Sequence, residues 1–254
     1  MKHTSFLLLN FLLIYAGLLP ADEGTGRITG KILLDREPPA LPQIAVDKNV
    51  EFCGETLTDA VLMVQNRGIQ GAVVSLDWQT EVPTAGKLPT PIHLQSRGCR
   101  FHPRVQATRL ENYLMLNSGD KVTHNPHGWW NNQKTIFNIT LLNPNQKFKR
   151  KFRWAGTYRV ECDTHTWMKA YILVFTHPFY TVTDEEGVFR LENVPAGTHT
   201  IRVWHEILGE QTATIVVVPK KATEKQFVLP FVDKRRKELV PKTVTPWPPN
   251  SSTQ

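Results

Sequence analysis

Several common classes of protein are excluded by what this sequence lacks. Its one long apolar run, Phe6 to Leu19, is too short and too early for a membrane span, and no other stretch is long enough to cross a bilayer. A long amphipathic helical repeat is missing, which argues against a helical bundle. No Ser-His-Asp arrangement, carboxylate pair or phosphate-binding loop stands out, so nothing here points to an enzyme. Cysteine is scarce and odd in number, three in 254 residues. An oxidising compartment pairs two of them and leaves the third to be explained by other chemistry. The formal charge of +7 is a mild excess, part of it gathered at Lys234-Arg235-Arg236-Lys237. A solvated tail accounts for that block without nucleic acid.

The chain opens on Met1-Lys2-His3, runs through the apolar stretch and closes at Leu19-Pro20-Ala21 before Asp22-Glu23. A charged start, a short apolar centre and a small residue at the cut read as an export signal over residues 1–21. Its removal takes Lys2 and no acid, so the formal charge falls from +7 to +6. No cysteine lies near the cut, so a lipid anchor is not expected. The mature protein is expected outside the cytoplasm, in a periplasm or beyond the cell, without stable membrane insertion. Residues 233–254 lose all alternation and become basic, then rich in Pro, Ser and Thr, which reads as a flexible tail.

Between these ends the pattern is β. Short apolar or alternating runs recur, among them Gly30–Leu34, Ala72–Leu76, Tyr113–Leu116, Thr157–Glu161, Ala170–Phe175, Thr198–Trp204 and Thr212–Val218. Turn residues such as Asn66-Arg67-Gly68, Ser118-Gly119-Asp120 and Asp184-Glu185-Glu186-Gly187 bound them. Pro83 to Pro91 reads as a connector. Strands of this length and spacing predict an all-β chain of sandwiches or barrels.

The stretch Cys162-Asp163-Thr164-His165-Thr166-Trp167-Met168 carries the chemistry. A thiolate, an imidazole and a thioether stand on one loop directly after a strand-like run. Soft sulfur with imidazole selects copper over hard cations, and two histidines, a cysteine and a weak axial methionine make an electron-transfer copper site. A second imidazole must come from elsewhere, and Thr123-His124-Asn125-Pro126-His127 offers two.

The spacing C-x-x-H-x-x-M, with His-Asn upstream, resembles the cupredoxins and most of all their amicyanin and plastocyanin-like members. Ala155-Gly156-Thr157-Tyr158-Arg159-Val160-Glu161-Cys162 is similar to that family's approach to the copper loop. The resemblance implies a Greek-key sandwich and one copper held by His124, Cys162, His165 and Met168. It makes Asn125 the clamp that ties its own segment to the residue after the cysteine. His127 is the alternative ligand to His124. The segment from Gly119-Asp120 to His124-Asn125 is shorter than the family's usual spacing. A dinuclear copper centre needs a second cysteine in the loop, and a multicopper oxidase needs His-x-His pairs; the nine histidines form none.

Two cysteines remain, Cys53 and Cys99, and the compartment predicts a disulfide between them. A metal site built from Cys99 and His102 is the alternative, with no clear further partners. Thr183-Asp184-Glu185-Glu186-Gly187-Val188-Phe189-Arg190-Leu191 and Val194-Pro195-Ala196-Gly197-Thr198 resemble one half of the carboxypeptidase-regulatory-like domains, which are small transthyretin-like sandwiches. The other half's pattern lies far upstream, at Gly30-Lys31-Ile32 and Gly71-Ala72-Val73-Val74-Ser75-Leu76. This implies a discontinuous sandwich from residues 25–82 and 178–230, with a cupredoxin unit at 88–176 between its halves. Three successive β segments, or one enlarged barrel, is the simpler alternative. His199 and His205 read as sandwich residues. The expected function is one-electron transfer, with a redox protein docking transiently near the exposed edge of one histidine. Trp129 and Trp130 either form that docking patch or cap the core. A copper-binding module for delivery or cell-envelope assembly is the alternative function.

Overall fold

The structure, a computed structural model, describes residues 24–78, 90–144 and 146–231. The segments read as an export signal and a flexible tail, and most of the Pro83–Pro91 connector, lie outside the described residues. Those residues are all-β: strands throughout and one helical turn, Val50–Cys53.

Two cores organise the strands. The first lies between two sheets. In one, Thr25–Leu34 runs antiparallel to Val188–Pro195 on one edge and parallel to Ala222–Leu229 on the other. The facing sheet runs Tyr180–Val182, Val73–Leu76, Gly197–His205, Gly209–Val217 in that order. Ile28, Ile32 and Leu34 recur at even spacing along the Thr25–Leu34 strand and point inward against Val74, Leu76, Phe189, Ile201 and Phe227. Gly30 falls in the same series and has to be glycine. A Cβ there would lie 1.7 Å from the carbonyl oxygen of Lys225 on the parallel neighbour. This core draws on residues 28–76 and 179–229.

The second core takes its residues from 94–174. One of its sheets runs Lys147–Lys151, Tyr113–Ser118, Ile92–Ser96, Phe101–His102. The other runs Lys134–Asn138, Pro126–Trp130, Gly156–Cys162, Lys169–Phe175, Val105–Arg109. Leu94, Leu116, Phe137, Tyr158, Val160, Ile172 and Val174 fill the space between them.

The Lys169–Phe175 strand belongs to both units, and its sequence says why. Ala170, Ile172 and Val174 face the second core, while Tyr171, Leu173 and Phe175 face Val73 and Trp204 of the first unit. A strand buried on both faces reads as a continuous apolar run instead of an alternating one. Each of these large side chains contributes about 1.5–3 kcal/mol by leaving water. The Arg104–Glu206 ion pair links the units at the rim.

One excursion departs from this plan. After Leu34 the chain leaves the first unit as an arm. Gln43–Ala45 pairs with Thr56–Thr58, and Val50–Cys53 forms the turn at the tip. Cys53 is disulfide-bonded to Cys99, at the tip of the second unit's 97–100 turn, with Cα atoms 5.6 Å apart.

Candidate metal centre

The centre lies at one end of the second unit, where three segments meet. Gly156–Cys162 and Lys169–Phe175 pair as far as Glu161 and Lys169, so residues 163–168 are the loop between them. Main-chain bonds close that loop: Cys162 N–H donates to Met168 O at 3.2 Å and Met168 N–H to His165 O at 3.0 Å. On the other edge of the Cys162 strand, Pro126 pairs with Cys162, which brings His124 alongside the loop. An isolated bridge to Leu141 fixes the backbone of His124.

The donor atoms converge. His124 Nδ1 and His165 Nδ1 are 3.1 Å apart, and Cys162 Sγ lies 4.0 and 3.7 Å from them. Both imidazoles are fully buried, and the thiol is free and buried. Nitrogen and thiolate donors sit about 2.0 and about 2.3 Å from a transition-metal ion, so a trigonal plane sets nitrogens about 3.5 Å apart and sulfur about 3.7 Å from each. The three distances match that plane to within a few tenths of an ångström. Met168 is buried in the same core cluster as Cys162, on the loop's closing side.

The outer ring nitrogens fix which protons the histidines carry. His124 Nε2–H donates to Asp120 Oδ2 at 2.9 Å, and His165 Nε2–H to Asn49 Oδ1 at 2.9 Å. Burial lowers the pKa of His124, with Asp120 opposing the shift. Burial, then the neighbouring His124 and Lys48, pushes His165 down to about 4. Both rings are therefore neutral near pH 7, with the proton on Nε2 and a bare lone pair on Nδ1. Asp120 is itself pinned, accepting Gly98 N–H at 2.7 Å and Cys99 N–H at 2.9 Å. Outer contacts of this kind hold a ligating ring in orientation.

Asn125 joins the two segments through its main chain. Its N–H donates to Cys162 Sγ at 3.3 Å and its carbonyl accepts Asp163 N–H at 3.0 Å. The side-chain oxygen Oδ1 is buried without a partner. The clamp expected of this asparagine thus belongs to its backbone, which any residue supplies.

His127 stands apart from these donors. It contacts Asp163 Oδ1 and Thr135 Oγ1, each at 3.2 Å, and stacks on Trp129. Trp129 and Trp130 have different surroundings. Successive strand residues point to opposite faces. Trp130 packs on the second core and donates to Ala155 O, while Trp129 lies between His127 and Arg159. The expected exposed histidine edge is also absent, since both rings are at 0% exposure. Cys99, Asp120 and His124 form a second convergent group. It offers no thiolate, because Cys99 is in the disulfide.

Asp120 and Asn49 are the residues that sequence reasoning missed. Asp120 sits four residues before His124, and the shortened spacing there was its only signal. Asn49 lies 116 residues from His165 and had none.

No protein-family model matches the chain, and no curated protein matches it. Solved structures similar to part of it include copper proteins. A copper-containing nitrite reductase from Thermus scotoductus SA-01 shares 19% identity over 38% of this chain, at a TM-score of 0.32; the match spans 25% of the reductase's length. A purple cupredoxin from Nitrosopumilus maritimus shares 21% identity over 33% of this chain and 98% of its own, at a TM-score of 0.29. A reduced amicyanin mutant shares 15% over 40% of this chain and 98% of its own, at 0.31. Among the described residues no helix is long and apolar enough to cross a membrane.

Proposed function

We propose that this protein is an exported one-electron carrier that holds one copper ion through Cys162, His124, His165 and Met168. The observation that carries the reading is the pair of Nδ1 lone pairs facing each other at 3.1 Å beside a free, buried thiol. Two bare lone pairs at that distance repel, and a cation between them converts repulsion into ligation. Thiolate, imidazole and thioether together suit copper. The metal supplies a one-electron couple when bound.

The chain's own part is rigidity. Asp120 and Asn49 hold the two rings, and the main chain of Asn125 holds the sulfur. Donors so fixed move little between oxidation states, which is what a carrier needs. Four donors leave no open position for a substrate, which favours a carrier over a copper oxidoreductase. Full burial of both imidazoles disfavours quick handover of the metal, and so disfavours a delivery role. The disulfide and the charged, then apolar, N-terminus support an oxidising compartment outside the cytoplasm. The partner is a redox protein met transiently. In this reading the two β units are a carboxypeptidase-regulatory-like sandwich from residues 25–82 and 178–230 and a cupredoxin unit at 88–176 between its halves.

Copper(II) titration of the purified mature protein tests the proposal. The expected result is an intense visible thiolate-to-copper band that saturates at one equivalent, with a matching paramagnetic resonance signal. Binding without that band overturns the carrier reading.

A further inference from the structure

We infer that Asn49 is a positioning residue for His165, and that the Cys53–Cys99 disulfide keeps it there, so that an arm of the first β unit closes the metal centre of the second. The inference rests on the metal-centre reading above, although each contact it uses is made by the protein chain alone.

The contact at its centre is the 2.9 Å bond from His165 Nε2–H to Asn49 Oδ1. His165 is fully buried while Asn49 is exposed, so the cover over this edge of the ring is one residue thick. Asn49 sits at φ 53° and ψ 37°, the left-handed region, immediately before the Val50–Cys53 turn. Asparagine enters that region at lower cost than most residues and brings an amide oxygen with it. Its carbonyl accepts the N–H groups of Phe52 and Cys53, so the backbone that presents the side chain is itself bonded into the turn.

The arm is tied down only a few residues away, at groups that also touch the ligand loop. Cys53 bonds to Cys99. Cys99 N–H donates to Asp120, the same carboxylate that holds His124. Cys99 O accepts Trp167 Nε1–H at 3.0 Å, from the ligand loop itself. Val46, Cys53 and Cys99 pack together against Trp167. The Arg100 guanidinium bonds the carbonyl of Thr58 at the arm's base. The outer contacts of both histidines therefore lead to the two ends of one disulfide. Breaking it frees the segment bearing Asn49 and loosens the turn that pins Asp120. The ring edge where a partner was expected to dock is covered by the molecule's own arm, so a redox partner meets the turn at Val50–Cys53 and not the imidazole.

The test uses the full mature chain without metal. Asn49→Gly removes the amide and keeps the left-handed backbone; Asn49→Asp keeps an oxygen acceptor. Two measurements report on the cover: the rate at which iodoacetamide alkylates Cys162, and solvent-exchange protection of His165 Nε2–H by nitrogen-15 resonance. Asn49→Gly is expected to speed alkylation about tenfold, the factor that one buried hydrogen bond supplies, and to remove the protection. Asn49→Asp is expected to behave as wild type. If Asn49→Gly matches wild type in both measurements, or Asn49→Asp opens as far as Asn49→Gly, the positioning role is wrong. A Cys53→Ser/Cys99→Ser protein is expected to alkylate at Cys162 at least as fast as Asn49→Gly, and a wild-type rate there removes the disulfide from the account. Failure of the wild type to turn blue with copper defeats the proposed function and leaves these metal-free measurements to be judged separately.

Discussion

His124 and His165 are buried in the second unit as a facing pair, whereas His177 and His205 are buried as deeply and stand alone. In the solitary pair, Nδ1 accepts a backbone N–H from two residues on, Phe179 for His177 at 3.2 Å and Ile207 for His205 at 3.4 Å. That nitrogen is spent on the local turn. In the facing pair the outer nitrogens are spent on Asp120 and Asn49, and both inner nitrogens are left over beside a thiol. Burial alone does not leave a ring nitrogen free to donate a lone pair; the fate of the second nitrogen decides it. All four rings are held neutral by burial, but only two have a lone pair pointing at a shared centre.

Breaking the facing set is expected to have the largest effect. Cys162→Ser removes the thiolate and should abolish the visible band altogether, while His124→Ala should leave a coloured site open to added imidazole. Absorption spectra of the copper-loaded variants check both.

The solitary pair is expected to show itself in the pH dependence of stability. Burial pushes His177 down to about 4 and, with Arg104 adding to it, His205 down to about 3, from an ordinary value of 6.5. The unfolded chain takes up protons below pH 6.5 that the folded chain refuses. Their contribution is therefore complete above that pH and shrinks as pH falls towards 4, by about 1.4 kcal/mol per pH unit for each ring. Urea denaturation of the metal-free protein at pH 7, 6 and 5 measures the slope. His205→Met should flatten it by about one ring's share, and an unchanged slope would show that His205 is not held neutral.

Met168→Leu is expected to cost less than about 1.5 kcal/mol of stability, because volume is nearly conserved. It should keep the colour and raise the reduction potential, since a thioether is a weak copper ligand that would tune the site without holding it together. Voltammetry and thermal melts check the two parts.

The smallest effects are expected at the two residues that sequence reasoning placed near the copper and the geometry places outside the donor set. His127→Ala should leave the visible spectrum unchanged. Asn125→Ala should do nearly the same, because the bonds to Cys162 and Asp163 come from its main chain and its buried Oδ1 has no partner to lose. Bleaching in His127→Ala with colour kept in His124→Ala would reverse the ligand assignment.

Much of the fold was legible because β structure writes a period of two into the chain. The even-numbered apolar residues of Thr25–Leu34 and the unbroken apolar run of Ala170–Phe175 announced one-sided and two-sided burial respectively. The sequence left the tryptophans open between docking and packing, because adjacent residues on a strand face opposite ways and the identities of Trp129 and Trp130 do not say which way each one points.

The sequence by itself determined the donor loop. Cys162, His165 and Met168 are close in the chain, and a tight turn between two paired strands brings the Cys162 sulfur within 3.7 Å of a His165 ring nitrogen. Tertiary structure alone decided what surrounds that loop. Asn49 reaches His165 across 116 residues; the Cys53–Cys99 bond across 46 was expected from the odd cysteine count and the compartment, but its tying down the arm that bears Asn49 was not. Contacts at such separations depend on how an arm leaves one unit and lands on another. A hydrogen bond of that kind has no period, spacing or local propensity to mark it, so nothing in the linear order of residues foretold that the buried ring of His165 would be covered by a residue from the first unit.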